Sequence, residues 1–260
     1  MPTMETLVLE RADNGVVTLT LNRPERKNAM NAAMFNELLG VLREVDASTT
    51  DRVLVITGAG DAFCSGADLS DRGSDTRHAM QRLHWVADIA LALHRIPKPI
   101  IAKVNGVAVG AGMNLALGCD LIVASEQARF SEIFARRGLT IDFGGSWLLP
   151  RLVGMHRAKE LALLADIISA KEAAEMGLVN RVVPAGELDA FVADWAKRLA
   201  AGPPIALGMT KRLLSNTFSM TMDEALEAEG MAQSVNSGTE DTAEAIGAFL
   251  EKREPKFKGR

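Results

Sequence analysis

A chain of 260 residues, 48% hydrophobic and 24% charged, is long enough for one large α/β domain or for a core with a small helical appendage. Its formal net charge of -4 disfavours a nucleic-acid-binding surface, and its two cysteines, Cys64 and Cys119, form neither a disulfide framework nor a CxxC metal site. The first ten residues lack an apolar leader core, and the apolar region 99–124 is broken by Lys103, Asn105 and Asp120. No membrane span or targeting segment is expected, and the reducing cytoplasm is the expected compartment.

In chain order, the β-branched run Val16 to Leu21 predicts a strand, and the polar, proline-broken segment Asn22 to Asn28 a loop. Phe35, Leu38, Leu39 and Leu42 fall at helical spacing, which predicts a helix over 32–45. A strand is expected over 52–57. Gly58 to Gly66 is too glycine-rich for either element. A helix over 78–94, a buried strand over 99–104, a turn over 105–112, a helix over 113–117 and a strand over 121–124 complete the pattern. Repeated strand–turn–helix units predict an α/β fold, although no clean repeat is visible in the sequence. After Gly202-Pro203-Pro204 the character changes to helices, over 207–216, 222–236 and 239–253. Thr239 is the expected N-cap of the last, with acidic residues in its first turn and Lys252-Arg253 at its end. Residues 1–202 thus read as a core and 203–260 as a helical region whose apolar face must pack on that core or on another subunit.

Two glycine-rich loops follow strands: Gly58 to Leu69 and Asn105 to Asn114. Small residues let a ligand approach the backbone, and the second loop runs into a helix, near the positive end of its dipole. Either loop alone reads more readily as a tight turn than as a binding site. Neither gives GxGxxG opening a helix, and there is no GxxxxGK[ST].

The two loops together, with their surroundings, resemble the crotonase superfamily, also called the enoyl-CoA hydratase/isomerase family. The resemblance covers nearly the whole chain. It is carried by Asn22-Arg23-Pro24 with Asn28-Ala29, by Ala62-Phe63-Cys64-Ser65-Gly66-Ala67-Asp68-Leu69, and by Pro97 to Ala102. Asn105 to Gly112, Cys119-Asp120 and Gly144-Gly145-Ser146-Trp147-Leu148-Leu149-Pro150-Arg151 continue it, in family order. It implies an α/β spiral of β–β–α turns with a C-terminal helical trimerisation region, assembled as homotrimers or as hexamers built from two trimers. It also implies an acyl-CoA thioester as ligand, with coenzyme A part of the substrate and no separate cofactor or metal. Matched motif by motif, the family's oxyanion hole falls on the N–H groups of Ala67 and Ala111. The acyl-CoA-binding residues fall on Arg26, Lys27, Ser65, Asp68, Leu69, Ser70 and Asn114. The contacts made across subunits fall on Phe249 and Lys252.

Family hydratases add water with two glutamates. Those positions here are Asn114 and Phe134, neither of which exchanges a proton at neutral pH. Asp142 lies in Gly138-Leu139-Thr140-Ile141-Asp142-Phe143-Gly144-Gly145-Ser146-Trp147, which resembles the segment carrying the single acid/base aspartate of isomerases of the phenylacetate-degradation type. A shift of the double bond from β,γ to α,β needs one carboxyl group. Ile141, Phe143 and Trp147 would desolvate Asp142 and make it a better base. Composition alone also allows Asp142 to be the N-cap of the following helix.

Glu132 has strand-like neighbours and reads as a rim or ladder residue. Asn114 could orient the thioester or a water, or sit idle on a helix surface. None of the four histidines, His78, His84, His94 and His156, has metal-ligand spacing, and helix faces are expected for the first two. Ser146 lacks the GxSxG context, Cys64 reads as a small packed residue, and core packing is the default for Met80, Met113 and Met155. Three functions stay open: an enoyl-CoA isomerase using Asp142, a hydratase with atypical residues, and a non-catalytic acyl-CoA-binding protein.

Overall fold

The computed structural model of the chain describes residues 4–71 and 78–260. The strands are β1 (Leu7–Arg11), β2 (Val16–Leu21), β3 (Val53–Gly58), β4 (Ala62–Cys64), β5 (Ile100–Val104), β6 (Val107–Val109), β7 (Leu121–Ser125), β8 (Arg129–Ser131), β9 (Ile168–Ser169) and β10 (Arg181–Val183). The helices are α1 (Ala32–Ala47), α2 (Ala79–Arg95), α3 (Ala111–Leu117), α4 (Gly145–Leu164), α5 (Ala170–Glu175), α6 (Leu188–Ala200), α7 (Pro204–Asn216), α8 (Met222–Ser237) and α9 (Glu240–Glu251).

The strands form a six-stranded sheet in the order β1-β2-β3-β5-β7-β10 and a four-stranded sheet in the order β4-β6-β8-β9. Each turn of the chain adds one strand to each sheet: β3 then β4, β5 then β6, β7 then β8. Strands one turn apart pair in parallel, Leu54 opposite Ile100 and Ile101 opposite Leu121 in the large sheet. A helix follows the first two of these strand pairs. This is the β–β–α spiral implied by the resemblance.

β3 shows why the sequence gives no alternating signal here. All six of its residues are buried. Val53 and Val55 face α6 and pack with Val192 and Ala196, while Leu54 and Ile56 face the main core with Leu38 and Leu42 of α1. A strand covered on both faces is continuously apolar, and its period of two is hidden. Truncation on either side, such as Ile56→Ala, should cost about 2–5 kcal/mol.

The glycine loops contain more structure than their composition suggests. Residues 58–66 include β4, and residues 105–112 include β6 and the start of α3. Each short strand has three residues, too few to show a period, and each is stabilised by a parallel partner far away in sequence. The expected breaks over these segments are corrected accordingly.

The C-terminal helices are joined to the core by α7. A Cβ on Gly208 would lie 2.7 Å from the Pro97 carbonyl oxygen, so α7 rests against the backbone before β5. Lys211 pairs with Asp120 at 2.8 Å and donates to the Lys98 carbonyl at 3.0 Å. Asp120 also accepts from the Ile100 N–H at 2.7 Å, which gives Cys119-Asp120 a structural use. Thr239 caps α9 as expected, its side chain accepting from the Thr242 N–H. The chain end folds back: the Lys258 and Gly259 N–H groups donate to the buried Asp241 carboxylate at 2.6 and 2.8 Å. Phe218, Met222, Met231, Ile246, Phe249 and Leu250 leave a broad apolar surface exposed on this region. Among the described residues no helix is long and apolar enough to cross a membrane.

Candidate active site

Three parallel strands end together at the small sheet. Cys64 of β4 lies opposite Ala108 of β6, and Ala108 lies opposite Phe130 of β8. The residues that follow, Gly66-Ala67, Gly110-Ala111 and Glu132, are thereby brought to one carboxyl edge, where parallel sheets commonly hold ligands. Gly66 allows the first two segments to meet. Its φ is +94°, and a Cβ there would sit 3.0 Å from the Val109 carbonyl oxygen and 3.7 Å from the Ala111 nitrogen.

Two N–H groups are left pointing into this junction. In the parallel bridge between Met30 and Ala67, the Met30 N–H donates to Gly66 O and the Asp68 N–H donates to Met30 O. Ala67's own N–H therefore faces the other way. Ala111 begins α3, so its N–H has no carbonyl one turn earlier to bond. Neither N–H has a backbone or side-chain acceptor among the described residues. Ala67 and Ala111 line one cavity of about 330 Å³, with Asp142 on its wall and Met30, Phe35 and Trp85 among its apolar surfaces.

The expected coenzyme A side is built from two joined loops. Arg26 ends a 3₁₀ turn, Pro24–Arg26, and both Arg26 and Lys27 are exposed. Lys27 and Asn28 adopt positive φ, 51° and 55°. Asn28, fully buried, holds that shape by accepting from the Arg23 N–H and donating to the carbonyls of Ala59 and Ala62. Ser65 bonds the same loop, its hydroxyl to Arg26 O at 3.2 Å and its N–H to Lys27 O at 3.0 Å. The Lys27 ammonium pairs with the Asp61 carboxylate, which holds Asp61 below the usual carboxylate range. Asp68 accepts from the Ser70 hydroxyl at 2.6 Å and N–H at 3.0 Å, and from Arg23 at 2.9 Å. Those donors, Ser70 first, keep its carboxyl below the ordinary range, so Asp68 shapes the cavity rim and is ill suited to carry a proton. Leu69 and Ser70 are exposed beside it. Phe249, 81% exposed, and Lys252 lie on the C-terminal helix, outside the cavity lining.

Asp142 sits on the loop before α4. The N-cap position of α4 is Gly144, with no side-chain cap, and the Asp142 contribution to the turn is its backbone carbonyl, which accepts from the Gly145 N–H. The capping use that composition allowed for its carboxyl is therefore not the one adopted. Phe143, next to it, is buried at φ +52°, a left-handed conformation that costs a non-glycine residue about 1–2 kcal/mol and fixes the direction of the loop.

Behind this loop lies Asn114, with none of its surface exposed. It occupies no helix surface. Its amide nitrogen donates to the Asp142 carbonyl at 3.0 Å and to Glu132 Oε2 at 3.4 Å. Gly145 makes room for it, since a Cβ there would fall 2.4–2.6 Å from the amide. Glu132 is likewise fully buried, which corrects its expected rim position. Burial pushes its carboxyl up to about 8; the Asn114 hydrogen bond opposes that shift and the charge of Asp142 adds to it. Strand parity gave no signal for this, since Phe130 and Ser131 are both buried. Phe134, at the second hydratase position, is buried, and a Cβ on Gly110 would lie 3.8 Å from its ring.

A second apolar cavity, of about 470 Å³, lies on the far side of Asn114 and Phe143, walled by Ala90, Leu91 and Trp147. Ala67, Ala111 and Asp142 all line the smaller cavity and none of them lines this one. The remaining residues weighed from the sequence have other uses. His78 caps α2, its Nδ1 accepting from the Met80 N–H at 3.3 Å, and Trp147 meets His94 edge-on at 5.3 Å. Met113 is core, whereas Met80 and Met155 are exposed. Cys64 is buried, and burial pushes its thiol up to about 12. Among the described residues no group of three or more His, Cys, Asp or Glu side chains could share a metal ion.

Comparison with known proteins agrees with this construction. The family model described as enoyl-CoA hydratase/isomerase matches residues 11–260. The chain is 40% identical over 262 residues to the 1,2-epoxyphenylacetyl-CoA isomerase of Escherichia coli, covering 99% of this chain and 100% of that protein. It is 34% identical over 260 residues to the short-chain-enoyl-CoA hydratase of Clostridium acetobutylicum, covering 99% of each. The crystal structure of an enoyl-CoA hydratase from Bacillus anthracis superposes with a TM-score of 0.93 at 35% identity, over 98% of this chain and all of that one. By its motifs, its spiral fold and a match along almost its full length, the chain belongs to the enoyl-CoA hydratase/isomerase family.

Proposed function

We propose that this enzyme shifts the double bond of an enoyl-CoA from the β,γ to the α,β position. The N–H groups of Ala67 and Ala111 meet the thioester oxygen, and Asp142 moves the proton. The observation that carries the reading is the single cavity shared by Ala67, Ala111 and Asp142, in a chain whose two hydratase glutamate positions are Asn114 and Phe134. The relatives' names include both isomerase and hydratase, so the reading rests on the residues of this chain.

The chemistry follows from the charges. Removal of an α-proton beside a thioester moves negative charge onto the carbonyl oxygen. Two fixed donors meet that charge as it develops, and one such donor is worth roughly 2.7–4 kcal/mol. Asp142 takes the α-proton as a carboxylate and returns it to the γ-carbon as the dienolate collapses, so atoms and charge balance with one carboxyl and no redox partner. Coenzyme A, part of the substrate, would run along Arg26, Lys27, Ser65 and the Asp68–Ser70 rim. Phe249 and Lys252 of a neighbouring subunit in a homotrimer, or in a pair of trimers, would complete its site.

The test uses 3-hexenoyl-CoA with the wild type and Asp142→Asn. Loss of a general base should lower kcat about 10²–10⁴-fold while acyl-CoA binding persists. An unchanged rate in Asp142→Asn refutes the assignment. The buried Glu132 favours one alternative, water addition using two carboxyls; hydration of crotonyl-CoA faster than isomerisation would establish it instead. Tight acyl-CoA binding without α-proton exchange in D2O would mark a non-catalytic binder.

A further inference from the structure

The motifs assign no role to Glu132, yet the small sheet delivers its carboxyl to the edge holding Ala67 and Ala111. It follows β8 directly, as Gly110-Ala111 follows β6, and the Gly110 N–H donates to Ser131 O at 2.9 Å, fixing the two strand ends to each other. Its side chain is fully buried. Oε2 has one donor, the Asn114 amide at 3.4 Å, and Oε1 has none among the described residues. The Asn114 amide oxygen is also buried without a partner. A buried carboxylate with one long hydrogen bond is costly; the same group carrying a proton on Oε1 is neutral and adds the donor that this cluster lacks.

Among the described residues no basic side chain bonds the Glu132 carboxylate, and Arg82 of α2 lines the cavity that holds Asp142. Asp142, on the loop before α4, carries the same sign. α3 and β6 contain no charged residue, and Cys64 of β4 is a neutral thiol. Arg129 of β8 is exposed and donates to the Ala128 carbonyl. Arg136 and Arg137, in the turn after Glu132, are exposed, and Arg136 is paired with Asp166 at 2.6 Å.

We propose that Glu132 is a positioning residue for the Asp142 chemistry: as the neutral acid it anchors the Asn114 amide, which holds the Asp142 backbone in place, and its ionisation switches the site off. The inference rests on the isomerase reading for its effect on rate, and on geometry alone for the protonation state. Ionised Glu132 would lose the Oε1 proton available to the unpartnered Asn114 amide oxygen and would bury an uncompensated charge, which loosens the Asn114 contact that holds the Asp142 backbone.

The experiment follows isomerisation of 3-hexenoyl-CoA from pH 6 to 10 for the wild type, Glu132→Gln and Asp142→Asn, with carbon-13 carboxyl NMR of the glutamate-labelled wild type in parallel. Glu132→Gln keeps a neutral amide at the position. It should hold kcat at pH 7 within about threefold and show no fall near pH 8, whereas the wild type should lose about tenfold per pH unit above that limb. The same limb in both proteins overturns the proposal. So does a folded Glu132→Gln that is inactive at pH 7, because the group would then itself transfer protons. Whether or not the variant folds, and whether or not the substrate is turned over, NMR of the wild type should show one glutamate carboxyl still protonated at pH 7; titration of all of them below pH 6 overturns it. Full activity in Asp142→Asn defeats the isomerase reading and leaves the NMR result standing separately.

Discussion

Gly145→Ala places a methyl group against the Asn114 amide. The new Cβ would lie 2.4 Å from Nδ2, 2.5 Å from Oδ1 and 2.6 Å from Cγ, whereas ordinary contact begins at 3.4 Å. The shortfall, 3.4 minus 2.4, is 1.0 Å, and it falls on all three amide atoms, so rotation about one bond cannot relieve it. Asn114 borders the cavity of about 470 Å³, so its amide can relieve part of the clash by moving that way, and so away from the Asp142 carbonyl. Over-packing of this kind costs about 1–3 kcal/mol, and loss of the amide's bond to the Asp142 carbonyl adds about 1 kcal/mol. The functional effect should be larger in proportion, because a displacement of about 1 Å in a catalytic group can cost ~10²-fold in rate. Urea unfolding and isomerisation of 3-hexenoyl-CoA measure the two effects. Gly40→Ala is the control: it lies in α1 with nothing within 4 Å of its added Cβ, and should gain about 0.5–1 kcal/mol from helix propensity with unchanged kcat. Wild-type stability and rate in Gly145→Ala would refute the claim that the Asn114 amide supports Asp142.

Other outcomes follow from the same structure. The folded carboxyl of Glu132 lies above its unfolded value of 4.5, at about 8, so the native state binds the extra proton between those limits. Its contribution to stability should therefore fall as pH rises through that window, by up to about 1.4 kcal/mol per unit, and Glu132→Gln should flatten the slope in urea titrations. Lys211→Met removes the cation from Asp120, whose side chain keeps 28% of its surface exposed, and should cost about 1 kcal/mol; adding Asp120→Asn should recover most of that loss, and strict additivity would argue against the pair. Both thiols are buried and shifted upward by burial, so neither Cys64 nor Cys119 should react with iodoacetamide at pH 8 until the protein is unfolded. Phe249→Asp should lower the sedimenting mass from that of the expected trimer or hexamer, since its 81% exposed ring lies within the apolar C-terminal surface.

Much of the fold was legible without coordinates. The strand over 16–21 and the helix starting at 32 fall where periodicity puts them, and the C-terminal helices lie within a few residues of their expected ends. Those elements carry a local signal: a β-branched run, an apolar face at helical spacing, a capping threonine. β4, β6 and β8 carry none. Their partners lie roughly one turn of the spiral away in sequence, and the glycine-rich surroundings of β4 and β6 argue against any element until pairing supplies the missing hydrogen bonds. Asp142 could be singled out from the sequence by its motif, but its choice between helix cap and cavity wall could not be read there, because it depends on where the loop after Gly138 is carried.

The sequence by itself determined the family, the class of fold and which residue types could serve as donors or proton carriers at each motif position. The N–H groups of Ala67 and Ala111 could be singled out through the match of their motifs to the family, since either glycine loop alone reads as a tight turn. Only the tertiary structure decided which groups share a cavity and which are removed from water. Glu132 and Asp68 are both acidic residues just beyond short strands; one meets Ser70 and Arg23 and is held ionised, the other meets a single amide in an apolar interior and is pushed toward its neutral form. Desolvation and the placing of partners are long-range consequences of packing, and no local pattern of residues encodes them.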